Sequence, residues 1–378
     1  MTSLPLPSLR RSRLALLALA ALALAGCATS NRGMAASWPG LSAGQDRVFV
    51  ADGPAVFAVD LTGQELWRYP QEPARDLTFF APPAVSDDGV VYAGAYTGQL
   101  FALKADDGSK VWEFPAADGS DGTADGRIIA SPTIAGDVLL VPTDGGTLFF
   151  LDRNTGKTLR TFTASGQLWS SPLVEGDTIY LTSLAHTVYA VNLATGERIW
   201  SADLVYAIAS SPALDGRTLL TGILGNSLVA LDALSGTEAW RIPSQGWMWG
   251  RPAIADGQAF FGDAIAASLA KSQTGNVYAL DTASRQILWQ KATASVAASP
   301  LLVDDRVVFA FEDGHLSAYD RLNGGVVWDR TASAPIYADP VAAGGLVVVA
   351  VTTKGALLEA FHADTGEPAW NFLPATGK

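Results

Sequence analysis

Ala230-Leu231-Asp232-Ala233-Leu234-Ser235-Gly236-Thr237-Glu238-Ala239-Trp240 is the stretch whose reading decides the fold. Ala190-Val191-Asn192-Leu193-Ala194-Thr195-Gly196-Glu197-Arg198-Ile199-Trp200 repeats it 40 residues earlier. The shared pattern, Ala-x-Asp-x-x-(Thr/Ser)-Gly-x-x-x-Trp, recurs eight times, and its last position falls at Trp67, Trp112, Arg160, Trp200, Trp240, Trp289, Trp328 and Trp370. Successive copies lie 39 to 49 residues apart. A period near ~40 residues made of short β-rich segments is that of a β-propeller, with one four-stranded blade per repeat.

A second count agrees. Proline stands ahead of the first strand of each repeat, at Pro39, Pro82, Pro132, Pro172, Pro212, Pro252, Pro300 and Pro340. The chain is therefore expected to be all-β, an eight-bladed β-propeller of four-stranded antiparallel blades. The blades fall at 38–67, 81–112, 131–160, 171–200, 211–240, 251–289, 299–328 and 339–370. Each motif residue has a physical task. The Asp or Asn opens a hairpin by accepting backbone N–H groups two or three residues on, and the Gly supplies the positive φ that a bulged hairpin needs. The small Ala leaves room for a large neighbour, and the Trp fills the space between sheets. Trp67, Trp112, Trp200, Trp240, Trp289, Trp328 and Trp370 are thus expected to be structural. Four departures stand out: Arg160 in place of Trp, Arg285 in place of Gly, His362 in place of Asp, and a first loop, Asp60-Leu61-Thr62-Gly63, that is one residue short.

The first 26 residues read as a leader rather than as part of the fold. Arg10, Arg11 and Arg13 precede an apolar run from Leu14 to Ala25 that is short for a bilayer span. Leu24-Ala25-Gly26-Cys27 then resembles a lipobox, which implies cleavage before Cys27 and lipid attachment to its sulfur; Cys27 is the only cysteine. The organisation read here is a signal peptide at 1–26, a lipidated tether at 27–37 and the propeller at 38–378. Without the leader the chain carries 22 basic and 37 acidic residues, net −15. Such a surface disfavours nucleic acid and anionic headgroups, so contact with a membrane is expected through the lipid alone.

The motif and its spacing resemble the repeats of the pyrroloquinoline quinone (PQQ) type propeller family, across essentially all of 38–370. Lipidated, eight-bladed and of this length, the chain is similar to the lipoprotein propellers of the outer-membrane β-barrel assembly machinery. The resemblance implies a scaffold role for that group. It also implies a quinone and a metal ion held near the axis for the family's dehydrogenases, many of them larger and some with a disulfide of adjacent cysteines over the cofactor.

Two long insertions, 113–130 and 263–276, are expected on one face of the ring. The residues three ahead of each strand-opening Pro, namely Phe79, Ile129, Trp169, Ala209, Trp249, Ala297 and Tyr337, are expected around the central mouth, with Trp247 beside Trp249. Just ahead of the Pro most repeats carry Ser or Ala, but two carry Arg251 and Asp339. An aromatic rim with one cation and one anion suits a peptide or small ligand; the same aromatics would equally serve as a plug. Asp118, Asp121 and Asp125 in the Gly-rich insertion are oxygen donors at short spacing, but the frame lacks the closing Glu of a calcium loop, so a solvated acidic loop is expected. His186, His315 and His362 fall in different blades and make no zinc set.

These observations lead to the expectation of a non-enzymatic, extracytoplasmic, membrane-anchored scaffold. It would be a monomeric propeller that engages protein partners, with no cofactor and no metal. The alternatives are a ligand-binding or sensor lipoprotein and a PQQ-dependent dehydrogenase.

Overall fold

The computed structural model describes residues 38–74, 76–116, 125–265, 274–352 and 355–375. The chain divides between Ser37 and Trp38, so the leader, Cys27 and the rest of the tether lie outside the described residues, as do Asp118 and Asp121. Thirty-two strands build eight four-stranded antiparallel sheets, and no helix occurs among the described residues. The blades span 40–69, 84–114, 133–163, 173–203, 213–243, 253–294, 301–331 and 341–372. Each is a meander of consecutive strands. Blade 5, for example, runs Ala213–Asp215, Thr218–Ile223, Ser227–Asp232 and Glu238–Pro243, from the axis outward. The second and third strands are almost wholly buried, because both of their faces are covered by neighbouring blades.

The repeat motif explains itself in the hairpin between the third and fourth strands. Asp232 Oδ1 accepts the N–H groups of Leu234 (3.1 Å) and Ser235 (2.9 Å), which fixes the turn. A β-bulge between Ala230 and Leu231 shifts the register so that Ala230 faces Trp240 directly. The same Ala–Trp pairing recurs as Ala58–Trp67, Ala102–Trp112, Ala190–Trp200, Ala279–Trp289, Ala318–Trp328 and Ala360–Trp370. The hairpin Gly has a second task besides its positive φ. It seats the Trp of the preceding blade: a Cβ built on Gly236 would lie 2.5 Å from the Trp200 ring, and one on Gly366 2.7 Å from the Trp328 ring. Five indoles also donate across the blade interface, Trp67 to Ala105 O (2.8 Å), Trp112 to Arg153 O (3.1 Å), Trp200 to Ala233 O (3.0 Å), Trp289 to Arg321 O (2.9 Å) and Trp328 to Ala363 O (3.0 Å). Trp67, Trp289 and Trp328 are buried, whereas the other four repeat tryptophans are half-buried.

The largest departure in the motif is compensated in place. Where Arg160 replaces Trp, Phe150 replaces the facing Ala. The large ring has changed sides of the hairpin, and the Arg160 guanidinium lies 5.1 Å from the Phe150 ring centroid. Arg160 Nη2 donates to Leu193 O at 2.9 Å, which replaces the indole's bond to the next blade. Arg285, in place of Gly, takes φ 63°, a strained conformation for a residue with a Cβ.

Among the described residues the ring closes without strand exchange. Blade 1 holds only the first four strands and blade 8 only the last four. Val48, Val50 and Phe57 of blade 1 share one core cluster with Val348, Leu358 and Ala360 of blade 8. Phe372 sets its ring 6.0 Å from Phe57, and Arg68 Nη1 donates to Ala375 O at 3.0 Å. The short first loop has a cost here. Trp370 still sits on Gly63, but its buried indole N–H finds no acceptor.

Candidate binding mouth and axial recess

The linkers between blades position the mouth. Each carries one apolar anchor, Ile128, Leu168, Ile208, Met248, Val296 or Ile336, with at most 1% of its surface exposed. Each is clamped by the turn that follows the second strand of the next blade, through bonds such as Leu184 N–H to Gln167 O (3.0 Å), Leu224 N–H to Ala207 O (3.0 Å) and Glu312 N–H to Ser295 O (3.0 Å). Side chains alternate along extended backbone. The residue after the anchor therefore faces away from the core: Ile129, Trp169, Ala209, Trp249, Ala297 and Tyr337 are all half-buried.

Phe79 is different. It is fully buried in the core cluster between blades 1 and 2, and its N–H bonds to Gly53 O (2.7 Å) as Ile128 N–H bonds to Ala95 O (3.2 Å). The linker into blade 2 is one residue shorter from anchor to proline, so Phe79 is an anchor there and not a rim residue. Phe80 takes the rim position and meets Tyr96 edge-on at 5.0 Å.

The described ends of both insertions lie on the face of these clamps. Arg127 O accepts Asp144 N–H (3.0 Å), and Trp247 and Ala264 exchange two backbone bonds of 2.9 Å. The second insertion extends its blade into strands Gln258–Ile265 and Thr274–Asp281. At its base Asp263 is fully buried. Its carboxylate accepts Gln245 N–H (2.9 Å), Gly246 N–H (3.1 Å), Asn276 N–H (2.7 Å), Asn276 Nδ2 (3.2 Å) and the Tyr278 hydroxyl (2.7 Å). Asp263 thus holds the linker that carries Trp247 and Trp249, which meet edge-on at 6.3 Å. Asp125 is used in a similar way. Its oxygens accept the hydroxyls of Thr143 (2.7 Å) and Thr147, and no group of three or more His, Cys, Asp or Glu suited to a metal occurs among the described residues.

The residue just ahead of each proline lines the axis. Here the blades are linked by a belt of backbone-to-side-chain bonds: Ser171 N–H to Ser211 Oγ (2.9 Å), Arg251 N–H to Ser299 Oγ (2.9 Å) and Ser299 N–H to Asp339 Oδ1 (2.6 Å). Asp339 is thereby a belt member. Arg251 joins the belt only through its backbone N–H, since a guanidinium has no acceptor to offer. Both line a recess of about 420 Å³ walled by the inner strands of blades 5 to 8, including Leu214, Ile254 and Leu302. Both side chains are open to water within that recess, yet the surrounding blades displace most of the bulk solvent. Burial of this kind lowers the Arg251 pKa, against the charge of Asp339, and raises that of Asp339, against hydrogen bonds from the Ser299 N–H and hydroxyl and, less, the charge of Arg251.

Three features of this face were not singled out from the sequence. Trp38 is 52% exposed and stacks on Tyr337 at 5.1 Å; it occupies the axial position of blade 1, which the proline series marks as Trp38-Pro39. Burial raises the pKa of Glu312, against a bond from the Ser295 hydroxyl, and that of Asp52. Neither carboxylate differs in sequence from those that only shape turns.

The profile of the family described as outer membrane protein assembly factor BamB matches residues 52–159, 120–204 and 184–372. The chain belongs to this BamB family of PQQ-type propellers. BamB from Moraxella catarrhalis has a similar structure, with TM-score 0.63 and 17% identity over 86% of this chain and 91% of that one. The quinohemoprotein alcohol dehydrogenase from Comamonas testosteroni is also similar, with TM-score 0.68 and 15% identity over 90% of this chain and 75% of that one. At these identities the likeness is one of fold. A curated relative, the polyvinylalcohol dehydrogenase of a Pseudomonas species, is 35% identical over 126 residues; the match covers 29% of this chain and a fifth, 20%, of that protein.

These relatives overturn one expectation. The absence of a sequence-visible catalytic set was read as the absence of catalysis, but the curated relative is a dehydrogenase and the fold is shared with an alcohol dehydrogenase. The repeat is compatible with both roles, because it specifies the blades and not the mouth. Tested against the quinone and metal ion that the resemblance implies, the recess supplies one guanidinium and one carboxylate, Arg251 and Asp339, with no metal-ligating cluster among the described residues. Those residues do not fit a metal-assisted quinone.

Proposed function

We propose that this BamB-family propeller is a lipid-anchored, extracytoplasmic protein that binds protein partners during outer-membrane protein assembly. The family match over 52–372 carries this reading. Cys27 supplies the anchor and an acidic propeller stands off the membrane on its tether. Partners dock on the face of the two insertions, around Trp169, Trp247, Trp249, Arg251, Tyr337 and Asp339. Aromatics and arginine are the side chains most often found at interface hot spots. The test is crosslinking in the native cell. Trp249→Ala with Arg251→Ala should weaken capture of partners by about tenfold or more, as loss of hot-spot residues does, while the melting temperature stays nearly unchanged. Capture at wild-type level by the folded double variant would move the interface elsewhere. Cys27→Ser should release the protein from membranes.

The 126-residue match to polyvinylalcohol dehydrogenase favours a second reading, a dehydrogenase acting on hydroxylated polymers. Under it, the purified protein supplied with pyrroloquinoline quinone and Ca²⁺ reduces a dye in the presence of polyvinyl alcohol. No dye reduction above the protein-free control removes this reading.

A further inference from the structure

We infer that the axial recess binds a small zwitterion with an apolar side chain, such as a free aliphatic α-amino acid or a short apolar peptide. The inference does not rest on partner docking at the surrounding face. It starts from the one cation at the axial position of the blades, Arg251. At this position a side-chain oxygen receives the N–H of the preceding blade, as Ser211, Ser299 and Asp339 do. Arg251 cannot accept. Its guanidinium also makes no hydrogen bond and no ion pair within 4 Å, whereas nearly every other arginine described here has a carboxylate or carbonyl partner, as Arg47, Arg68, Arg153, Arg306 and Arg330 do. Arginine placed in a recess with five free N–H groups is suited to a carboxylate.

The wall opposite supplies the complement. Asp339 accepts Ser299 N–H at Oδ1 and is also stabilised by the Ser299 hydroxyl, but no cationic side chain reaches its carboxylate. The two charges feel each other but do not meet, so a gap separates them. A ligand that fills the gap needs an anionic group for Arg251 and a cationic donor for Asp339. The recess is also lined by Leu214, Ala253, Ile254 and Leu302, together with prolines, which offer apolar contact to an aliphatic side chain. Its volume of about 420 Å³ leaves room for an amino acid or a dipeptide. A dicarboxylate would meet Asp339 with like charge, and a diamine would meet Arg251 in the same way. Partial removal of water strengthens both charge-assisted bonds relative to an exposed pair.

The test is calorimetric titration of the full chain with leucine, leucyl-leucine, N-acetyl-leucine and leucinamide. Leucine or leucyl-leucine should bind saturably, and each blocked analogue at least tenfold more weakly. Arg251→Gln should lose at least tenfold in affinity for the zwitterion. Asp339→Asn keeps the acceptor for Ser299 N–H and should lose a similar factor for the zwitterion, but little for N-acetyl-leucine, which has no ammonium to lose. The melting temperature of each variant confirms that it is folded. Three results overturn the inference: no saturable zwitterion binding to wild type, equal binding of N-acetyl-leucine and leucine, or zwitterion binding unchanged in both folded variants. Partner capture that survives while the site fails, or the reverse, separates this site from the proposed docking face.

Discussion

The outer belt of tryptophans and the inner belt at the axis are built on the same eightfold plan, and they treat departures from it in opposite ways. In the outer belt the largest change is answered by another. Arg160 replaces an indole, and Phe150 then fills the space that the facing Ala leaves elsewhere, while the guanidinium restores the bond to the next blade. In the inner belt Arg251 replaces a hydroxyl and offers no acceptor to the preceding blade, whose Ser210 hydroxyl bonds instead to Gly250 O (2.9 Å), while the guanidinium itself is left without a partner. A compensated departure preserves packing, whereas an uncompensated one in a water-filled recess is tolerated at a cost in stability, which is where sites for ligands are found. The closing seam is an intermediate case. Trp370 packs like its counterparts but has lost its acceptor to a shortened loop.

The contrast can be broken by experiment. Trp328→Ala empties a buried seat between blades 7 and 8, where the ring is 4% exposed and bonded to Ala363 O. It should destabilise the protein by about 3–5 kcal/mol in denaturant unfolding. If the outer belt is compensated as described, Phe150→Ala and Arg160→Trp should each destabilise alone, the first by a cavity and the second by overpacking. Together they restore the Ala–Trp pair, and the double variant should be more stable than the sum of the singles by about 2 kcal/mol. Simple additivity in that cycle would show that the two positions are not coupled. Trp328→Phe removes a satisfied indole bond and Trp370→Phe an unsatisfied one, so the first should cost about 1 kcal/mol more.

The smallest effect concerns the inner belt. Burial raises the Asp339 pKa in the folded chain. The folded state then holds its proton above the unfolded value of about 3.9, so stability falls as pH rises through that window and stays reduced at neutral pH. Asp339→Asn should therefore raise the melting temperature slightly at pH 7, and the gain should vanish as the pH falls below about 4. A fall in melting temperature at pH 7 would mean that its charge supports the belt, as Arg160 supports the outer one.

Much of this was legible in the chain. The blade count, the blade limits to within a few residues and the pairing of a small with a large residue all follow from repetition, because every repeat must bury the same faces against the next. Phe79 was placed at the rim because its linker was counted back from Pro82; one residue fewer between anchor and proline changes which side chain faces the core, and spacing to the proline carries no trace of that shift. Glu312 and Asp52 were missed because a half-buried carboxylate and a turn-forming one look alike in sequence. The seven repeat tryptophans were read as structural, and the added bond of five of them to the next blade became visible only in three dimensions.

By itself, the sequence determined that this protein is an eight-bladed propeller, since a period of 39 to 49 residues with a fixed hairpin motif permits one way of burying its apolar faces. It also marked Arg251 and Asp339 as unusual, because they interrupt a run of Ser and Ala. Only the tertiary structure decided that these two share one recess, that neither neutralises the other by contact, and that blade 8 meets blade 1 without exchanging a strand. Local pattern governs what each blade is. The curvature that brings blades 5 to 8 around a common axis is summed over the whole ring, and no single repeat encodes it.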